Sequence, residues 1–305
     1  MAAFFTLSLI NAQETVKPAL ESLVKYPKVR DFTLSASNNE AYITLQSPLE
    51  EISVIGRVQK VDGKWSAPTL VAFSGDYKDL EPYLSPDGLR LYFASNRPAN
   101  DSITAAADFN IWYVERADTK TAWSSPINIG APINTEHNEF YPALAANGNL
   151  YFTSDAPSAK GKDDIFFSEW KNGRYTSPIS MSDAINSPGF EFNAFVAPDE
   201  SFLIFSGYNR EDGLGSGDMY ISFRQSDNSW GNAENLGSDI NSKYMDYCPF
   251  VDMASQQLYF TSRRSALDTV RPKSIQALEQ AVNGYENGAS RIYVASLKAF
   301  LEQRR

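Results

Sequence analysis

Short apolar runs alternate along this chain with polar stretches rich in glycine, proline, serine and aspartate. Four of the runs share one pattern: Leu91–Ser95, Leu150–Ser154, Phe202–Ser206 and Leu258–Ser262, each aromatic and aliphatic and ending in serine. Side chains of this kind suit a pleated, half-buried surface, so each run predicts a strand. A shorter strand such as Pro82–Ser85 precedes each, joined to it by a turn such as "SPDG" (Ser85–Gly88). There proline presets φ and Asp-Gly accepts the reversal. After a loop a third strand follows, at Ile111–Val114, Ile165–Ser168, Met219–Ser222 and Ile292–Ala295. A fourth is announced by "WSAP" (Trp65–Pro68), "WSSP" (Trp123–Pro126), "YTSP" (Tyr175–Pro178) and "WGNA" (Trp230–Ala233).

Aligned, the phrases read "DLEPYLSPDGLRLYFASN" from Asp79, "EFYPALAANGNLYFTSD" from Glu139, "EFNAFVAPDESFLIFSG" from Glu191 and "DYCPFVDMASQQLYFTS" from Asp246. A weaker copy, "VRDFTLSASNNEAYITLQ", starts at Val29. A period of roughly 50–60 residues is that of a four-stranded propeller blade with long loops. The predicted fold is all-β, a propeller of five four-stranded blades. Its last copy lacks an outer strand, and the N-terminus supplies one. Pro18-Ala19-Leu20 precedes Asp31 by the interval at which Pro68-Thr69-Leu70 precedes Glu81, so Thr15–Val24 closes the ring and removes an exposed sheet edge. One domain over residues 14–305 results, with a helical insert at about 270–285 in the last blade; within it Lys273–Val282 carries Ile275, Leu278 and Val282 on one stripe.

With 27 basic against 37 acidic residues and a net charge of −10, neither nucleic acid nor an anionic membrane is an expected partner. Cys248 is the single cysteine, so no internal disulfide can form. His137 is the single histidine and sits in the polar connector "NTEHNEF", which excludes paired-histidine zinc sites. The start of the chain, "MAAFFTLSLINAQE", looks like the later part of a bacterial secretory signal without its basic beginning, and it is too short to span a membrane. Residues 1–13 are thus expected to be a signal remnant or a disordered terminus, and the protein periplasmic or secreted.

The segments "LSPDGLRLYFASNRP", "NEFYPALAANGNLYFTSD" and "KDDIFFS", with "WSSPINIG" leading into "INTEHNEFYP", resemble the WD-like propeller repeats of TolB-type proteins. The likeness runs from about Lys28 to Leu297, and its motifs specify turns and cores. It implies binding of a partner or glycan, often without catalysis. Neither an OmpA-like domain nor a TolB-style N-terminal domain is recognised in these residues, so no Tol-system role is carried over.

Inner strands line a propeller's axis, which makes their first residues the candidate site. Three positions before Pro82 and its equivalents stand Asp79, Glu139, Glu191 and Asp246. One position before stand Asp31, Glu81, Tyr141, Asn193 and Cys248. Loops between second and third strands add Arg97, Asp155, Arg210, Arg263 and Arg264. The expected ligand-binding set is Asp31, Asp79, Glu81, Arg97, Glu139, Tyr141, Glu191, Asn193, Asp246 and Arg263, around an acidic channel mouth suited to sugar hydroxyls or a cationic group. No cofactor or metal is required; calcium, held by oxygen ligands, is the one ion the pattern admits. Recurrence of the first acid in four copies points equally to a scaffold role, capping backbone N–H groups. The function expected is that of an exported, non-catalytic propeller binding a glycan or a cell-envelope partner. One alternative is a glycan-active hydrolase using Asp31, Glu139 and Glu191, since furanosidase-type five-bladed enzymes set carboxylates around the same funnel. The other is a protein-interaction scaffold with contacts spread over the rim.

Overall fold

Antiparallel pairing turns each repeat into a four-stranded meander, and five of them stand around one axis. The computed structural model describes residues 16–99 and 108–302; the leader-like stretch 1–13 lies outside them. Blade 1 comprises Lys28–Leu34, Glu40–Gln46, Ser53–Val61 and Thr69–Leu70, and blade 2 Asp79–Leu84, Arg90–Ser95, Asn110–Glu115 and Ile127–Asn128. Blade 3 is Glu139–Leu144, Leu150–Ser154, Asp164–Ser168 and Ile179–Ser180. Blade 4 is Phe190–Val196, Phe202–Tyr208, Asp218–Phe223 and Glu234–Asn235. Blade 5 is Asp246–Asp252, Gln257–Ser262 and Arg291–Ser296, completed by Lys17–Pro18 from the N-terminus. In that closure Lys17 lies opposite Val294 and Pro18 opposite Tyr293, and Leu20 and Leu23 bury between blades 5 and 1. Proline is tolerated here because the strand lies at a sheet edge, where one N–H can be forgone.

The outer strands are only two residues long, and a side chain explains how blades 2, 3 and 4 manage with so little. After each outer strand the chain turns and places an asparagine against the third strand. Asn134 accepts from the Ile111 N–H at 2.9 Å and donates to the Ile111 carbonyl at 2.9 Å. Asn186 does the same to Ile165 at 3.0 and 2.9 Å, and Asn241 to Met219 at 2.8 and 3.0 Å. Each amide thus stands in for one further residue of strand, satisfying an N–H that would otherwise be left unpaired and adding a second donor to a carbonyl that the N–H of Ile129, Met181 or Leu236 already binds. The preceding Ile133, Ile185 and Ile240 are buried. The "WSSP"-type segments lie ahead of the outer strands; in blades 1 and 3 this stretch forms a hairpin, Lys64–Trp65 against Lys60–Val61 and Trp170–Lys171 against Arg174–Tyr175.

Apolar side chains meet between blades. Tyr42 and Ile55 of blade 1 pack on Leu91 and Phe93 of blade 2, and Tyr151 and Ile165 of blade 3 on Leu203 and Phe205 of blade 4. Removing a Leu or Phe side chain from water contributes roughly 1.5–3 kcal/mol, so the inter-blade faces hold the ring together. In every blade the inner strand slips register against its neighbour, at Asp31, Glu81, Tyr141, Asn193 and Cys248. All five are in the left-handed region, with φ between 47° and 60°. Such bulges re-aim a side chain, here toward the axis.

Between the second and third strands of blade 5 stands α1 (Ile275–Val282), capped by Ser274, whose hydroxyl accepts from the Ala277 N–H. Its stripe of Ile275, Leu278 and Val282 faces solvent, not the blades. A short helix, Lys298–Glu302, follows blade 5. Among the described residues no helix is long and apolar enough to cross a membrane.

Candidate functional site

The acid that opens each of the last four inner strands folds back onto the loop it follows. Thr135 donates to Glu139 through its hydroxyl at 2.6 Å and its N–H at 3.2 Å. Ser187 binds Glu191 at 2.6 and 2.7 Å, and Ser242 binds Asp246 at 2.7 and 2.6 Å. In blade 2 the Ser74 hydroxyl reaches Asp79 at 2.7 Å. All four carboxylates are buried, holding the connector between blades instead of projecting into the channel. The arginines expected on the same rim are their partners. Arg97 pairs with Asp79 at 2.7 Å, Arg210 with Glu191 at 3.6 Å and Arg264 with Asp246 at 3.4 Å.

Blade 3 departs from this rule. Ala156 stands two residues beyond the strand-ending Ser154, where Arg97 and Arg264 stand beyond Ser95 and Ser262. Asp155 instead accepts from Asn138, at 2.9 Å from its N–H and 2.7 Å from its side chain. Glu139 therefore has no cation among the described residues. Burial raises its pKa to about 7, against the Thr135 hydrogen bonds and with help from Asp108 and Asp155.

The five bulge residues form a second tier on the axis. Arg30 binds two of them, donating from Nε to Asp31 at 3.0 Å and from Nη2 to Glu81 at 2.7 Å. Glu81 also accepts from the Asn193 side chain at 3.2 Å and from the Tyr141 N–H at 2.8 Å, while Asp31 accepts from the Glu81 N–H at 3.1 Å. The Cys248 thiol lies 3.4 Å from the Asn193 carbonyl oxygen. Tyr141 crosses the channel to the Pro249 carbonyl at 2.9 Å. Three threonines of the second strands anchor this tier, Thr44 accepting from the Glu81 N–H, Thr153 from Asn193 and Thr261 from Asp31. Burial pushes Glu81 up from the usual carboxylate range; Arg30 opposes the shift and Asp31 adds to it. Burial likewise raises the Cys248 thiol, keeping it a neutral donor. Beneath the tier Phe32, Phe195 and Phe250 stack edge to face, at 5.8 and 5.7 Å between ring centroids, and close the channel.

Arg30 is the residue that sequence reasoning misses, together with Phe140, Phe192 and Tyr247. All four sit one position before a bulge residue, a place visible in the aligned repeats. Tyr247 lies between two guanidinium groups, Arg30 at 5.2 Å and Arg263 at 5.7 Å from its ring. Arg263 also reaches Glu50 at 3.6 Å, which Lys28 binds at 2.6 Å. Phe140 and Phe192, half buried, pack on Tyr141, Tyr247 and Cys248. The mouth thus presents cations and aromatic rings over a floor of buried, satisfied carboxylates. Among the described residues no group of His, Cys, Asp and Glu is arranged to hold a metal ion.

Fold and axis together define a five-bladed β-propeller with a blind, polar-floored channel. No protein-family model matches the sequence, and no curated protein does. Solved structures do match in fold. A GH62 hydrolase in complex with xylotriose is 11% identical with a TM-score of 0.53, over 92% of this sequence and 94% of that one. The arabinanase Arb43A of Bacillus subtilis is 12% identical with a TM-score of 0.53, over 90% and 96%. TolB from Acinetobacter baumannii is 12% identical with a TM-score of 0.47, over 88% of this sequence; the protein spans about half of TolB, 54% of its length. At such identities the likeness is one of architecture, and function has to be argued from the site.

Proposed function

We propose that the protein is an exported, non-catalytic propeller of the TolB-like repeat type that binds a glycan of the cell envelope at the mouth of its axis. The observation that carries this reading is the state of the carboxylates. Glycoside hydrolysis needs two carboxyl groups facing each other across a gap that admits the scissile bond. Asp31 and Glu81 are instead tied to one guanidinium, and Glu139 and Glu191 to separate loops. Arg30, Arg263, Tyr247, Phe140 and Phe192 suit a sugar, with ring faces for its C–H surface and guanidinium groups for its oxygens.

One observation favours the hydrolase alternative. Glu81 is an acid lifted by burial beside a second acid, the arrangement by which a carboxyl group stays protonated near neutral pH. A thermal-melt screen against neutral, acidic and amino-sugar oligosaccharides, with and without calcium, separates the two. Every ligand that shifts the melt is then chromatographed for products. A ligand that raises Tm and is recovered intact supports the binding reading. Cleavage that Glu81→Gln abolishes would transfer the protein to the hydrolases.

A further inference from the structure

Two of the grooves between blades are clasped by an acid, an arginine and a tryptophan, and the groove between blades 2 and 3 carries other side chains at those places. Between blades 1 and 2, Tyr42 donates to Glu40 at 2.7 Å, Trp123 donates to the Tyr42 hydroxyl at 3.1 Å, and Arg116 pairs with Glu40 at 3.1 Å while lying 4.2 Å from the Trp123 ring. Blades 3 and 4 make a like clasp with an acid from the other blade: Tyr151 and Asn149 of blade 3 donate to Glu200 of blade 4 at 2.6 and 3.0 Å beneath Trp230, and Arg224 lies 4.8 Å from that indole.

The strand registers show which residues take these places between blades 2 and 3. Arg90 stands where Glu40 stands, Trp170 where Arg116 and Arg224 stand, and Tyr175 where Trp123 and Trp230 stand. Arg90 brings a cation where blade 1 has an acid, and an indole replaces the arginine, so the Glu40–Arg116 pair has no counterpart here. The groove holds about 460 Å³ walled by Arg90, Tyr92, Tyr113, Trp170, Arg174 and Tyr175; the clasped groove of blades 1 and 2 holds about 530 Å³ lined by Glu40, Arg57, Lys60 and Arg116, so the two differ in lining and not in size. That volume lies within the range of small-molecule sites, about 300–1,000 Å³.

Its aromatic wall is held in place. The Trp170 ring lies against Gly148, where an added Cβ would stand 3.0 Å from it, and 4.7 Å from Tyr175 at 64°. The Trp170 N–H donates to Asn149 at 3.0 Å, yet 41% of the residue is exposed. Arg90 lies 5.1 Å from the Tyr113 ring and shares a half-exposed pair with Glu115 at 3.3 Å, a contact that solvent leaves weak. Arg174 is exposed and makes no ion pair among the described residues.

From this substitution of a clasp by a fixed indole and two available guanidinium groups, we infer that the groove between blades 2 and 3 is a second binding site, for an oligosaccharide containing uronic acid. Trp170 takes the apolar face of a pyranose ring, Arg90 and Arg174 take carboxylates through paired N–H donors, and the tyrosine hydroxyls take sugar hydroxyls. The inference stands apart from the mouth, whose ligand it does not require.

Titration calorimetry with oligogalacturonates tests it, on the wild-type chain and on Trp170→Ala, Arg174→Glu and Arg263→Glu, each first checked for an unchanged melt. Arg174 and Arg263 are exposed, so those two variants fold even if Trp170→Ala does not. The expected result is binding that weakens about tenfold or more in Trp170→Ala and Arg174→Glu and is unchanged in Arg263→Glu. Matched neutral oligosaccharides and a polyglutamate peptide should bind at least about tenfold more weakly. Equal binding of either control, no uronate binding up to about 5 mM, or affinity unmoved by both groove variants overturns the inference. Loss of uronate binding in Arg263→Glu alone would overturn it too, while leaving the mouth reading intact.

Discussion

Glu139 is a carboxyl group buried at 1% exposure without the arginine that its counterparts in blades 2, 4 and 5 possess. Its pKa, raised by burial to about 7 from an ordinary 4.5, means that the folded state binds its proton more tightly than the unfolded chain does. Its contribution is therefore fully present below about 4.5, falls as pH rises between about 4.5 and 7, and is lost above that window. At about 1.4 kcal/mol per pKa unit the whole shift corresponds to roughly 3 kcal/mol, and solvent screening lowers this to about 1–2 kcal/mol. Glu139→Gln removes the titration and can keep both Thr135 contacts. Urea unfolding at pH 8 should find this variant about 1–2 kcal/mol more stable than the wild type, with the gain gone at pH 4.5. Ala156→Arg, which supplies the missing cation, should flatten the same pH dependence by lowering the pKa of Glu139. A difference between Glu139→Gln and wild type that is the same at both pH values would refute the reasoning.

Three further outcomes test the scaffold by denaturant unfolding. Arg30→Met leaves Asp31 and Glu81 buried without their shared cation and should cost about 3–5 kcal/mol. Asn186→Ala removes the buried amide that completes blade 3 and leaves the Ile165 N–H without its acceptor, while the Ile165 carbonyl keeps the Met181 N–H; the expected loss is about 1–3 kcal/mol, against little change for Asn147→Ala in an exposed turn. Leu23→Ala opens a cavity where the N-terminal segment packs between blades 5 and 1, and should lower stability by about 2–4 kcal/mol.

The strands are legible in the sequence because a blade must bury both faces, which writes short continuous apolar runs into the second and third strands. Even the closure by Lys17–Pro18 shows in the interval between Pro18 and Asp31. The direction of the inner-strand side chains is less legible. Side chains alternate across a strand by twos, and each bulge breaks that count, so a reading carried upstream from Pro82 loses the facing of Leu80 and Asp79. Hence the acids expected at the mouth turn to their own loops, and Arg30 and Tyr247 hold the position above the floor. The asparagines of the "IN(S/T)" segments escape notice because an amide imitating a strand has no periodicity. The stripe on α1 exists as its spacing predicts, but the pattern alone does not tell that its apolar side is left in water.

The left-handed bend at the same place in all five inner strands separates two tasks that most binding sites combine. Backbone geometry fixes where the side chain points, and the large inter-blade apolar cores lie elsewhere, so the five axial residues bear on the ring through the hydrogen bonds they exchange across the channel. Aspartate, glutamate, tyrosine, asparagine and cysteine occupy those places here. A lineage that exchanged them together with their hydrogen-bond partners would keep its blades and acquire a new floor. The propeller works in this respect as a mount with five replaceable heads, and its specificity can drift while its architecture stands still.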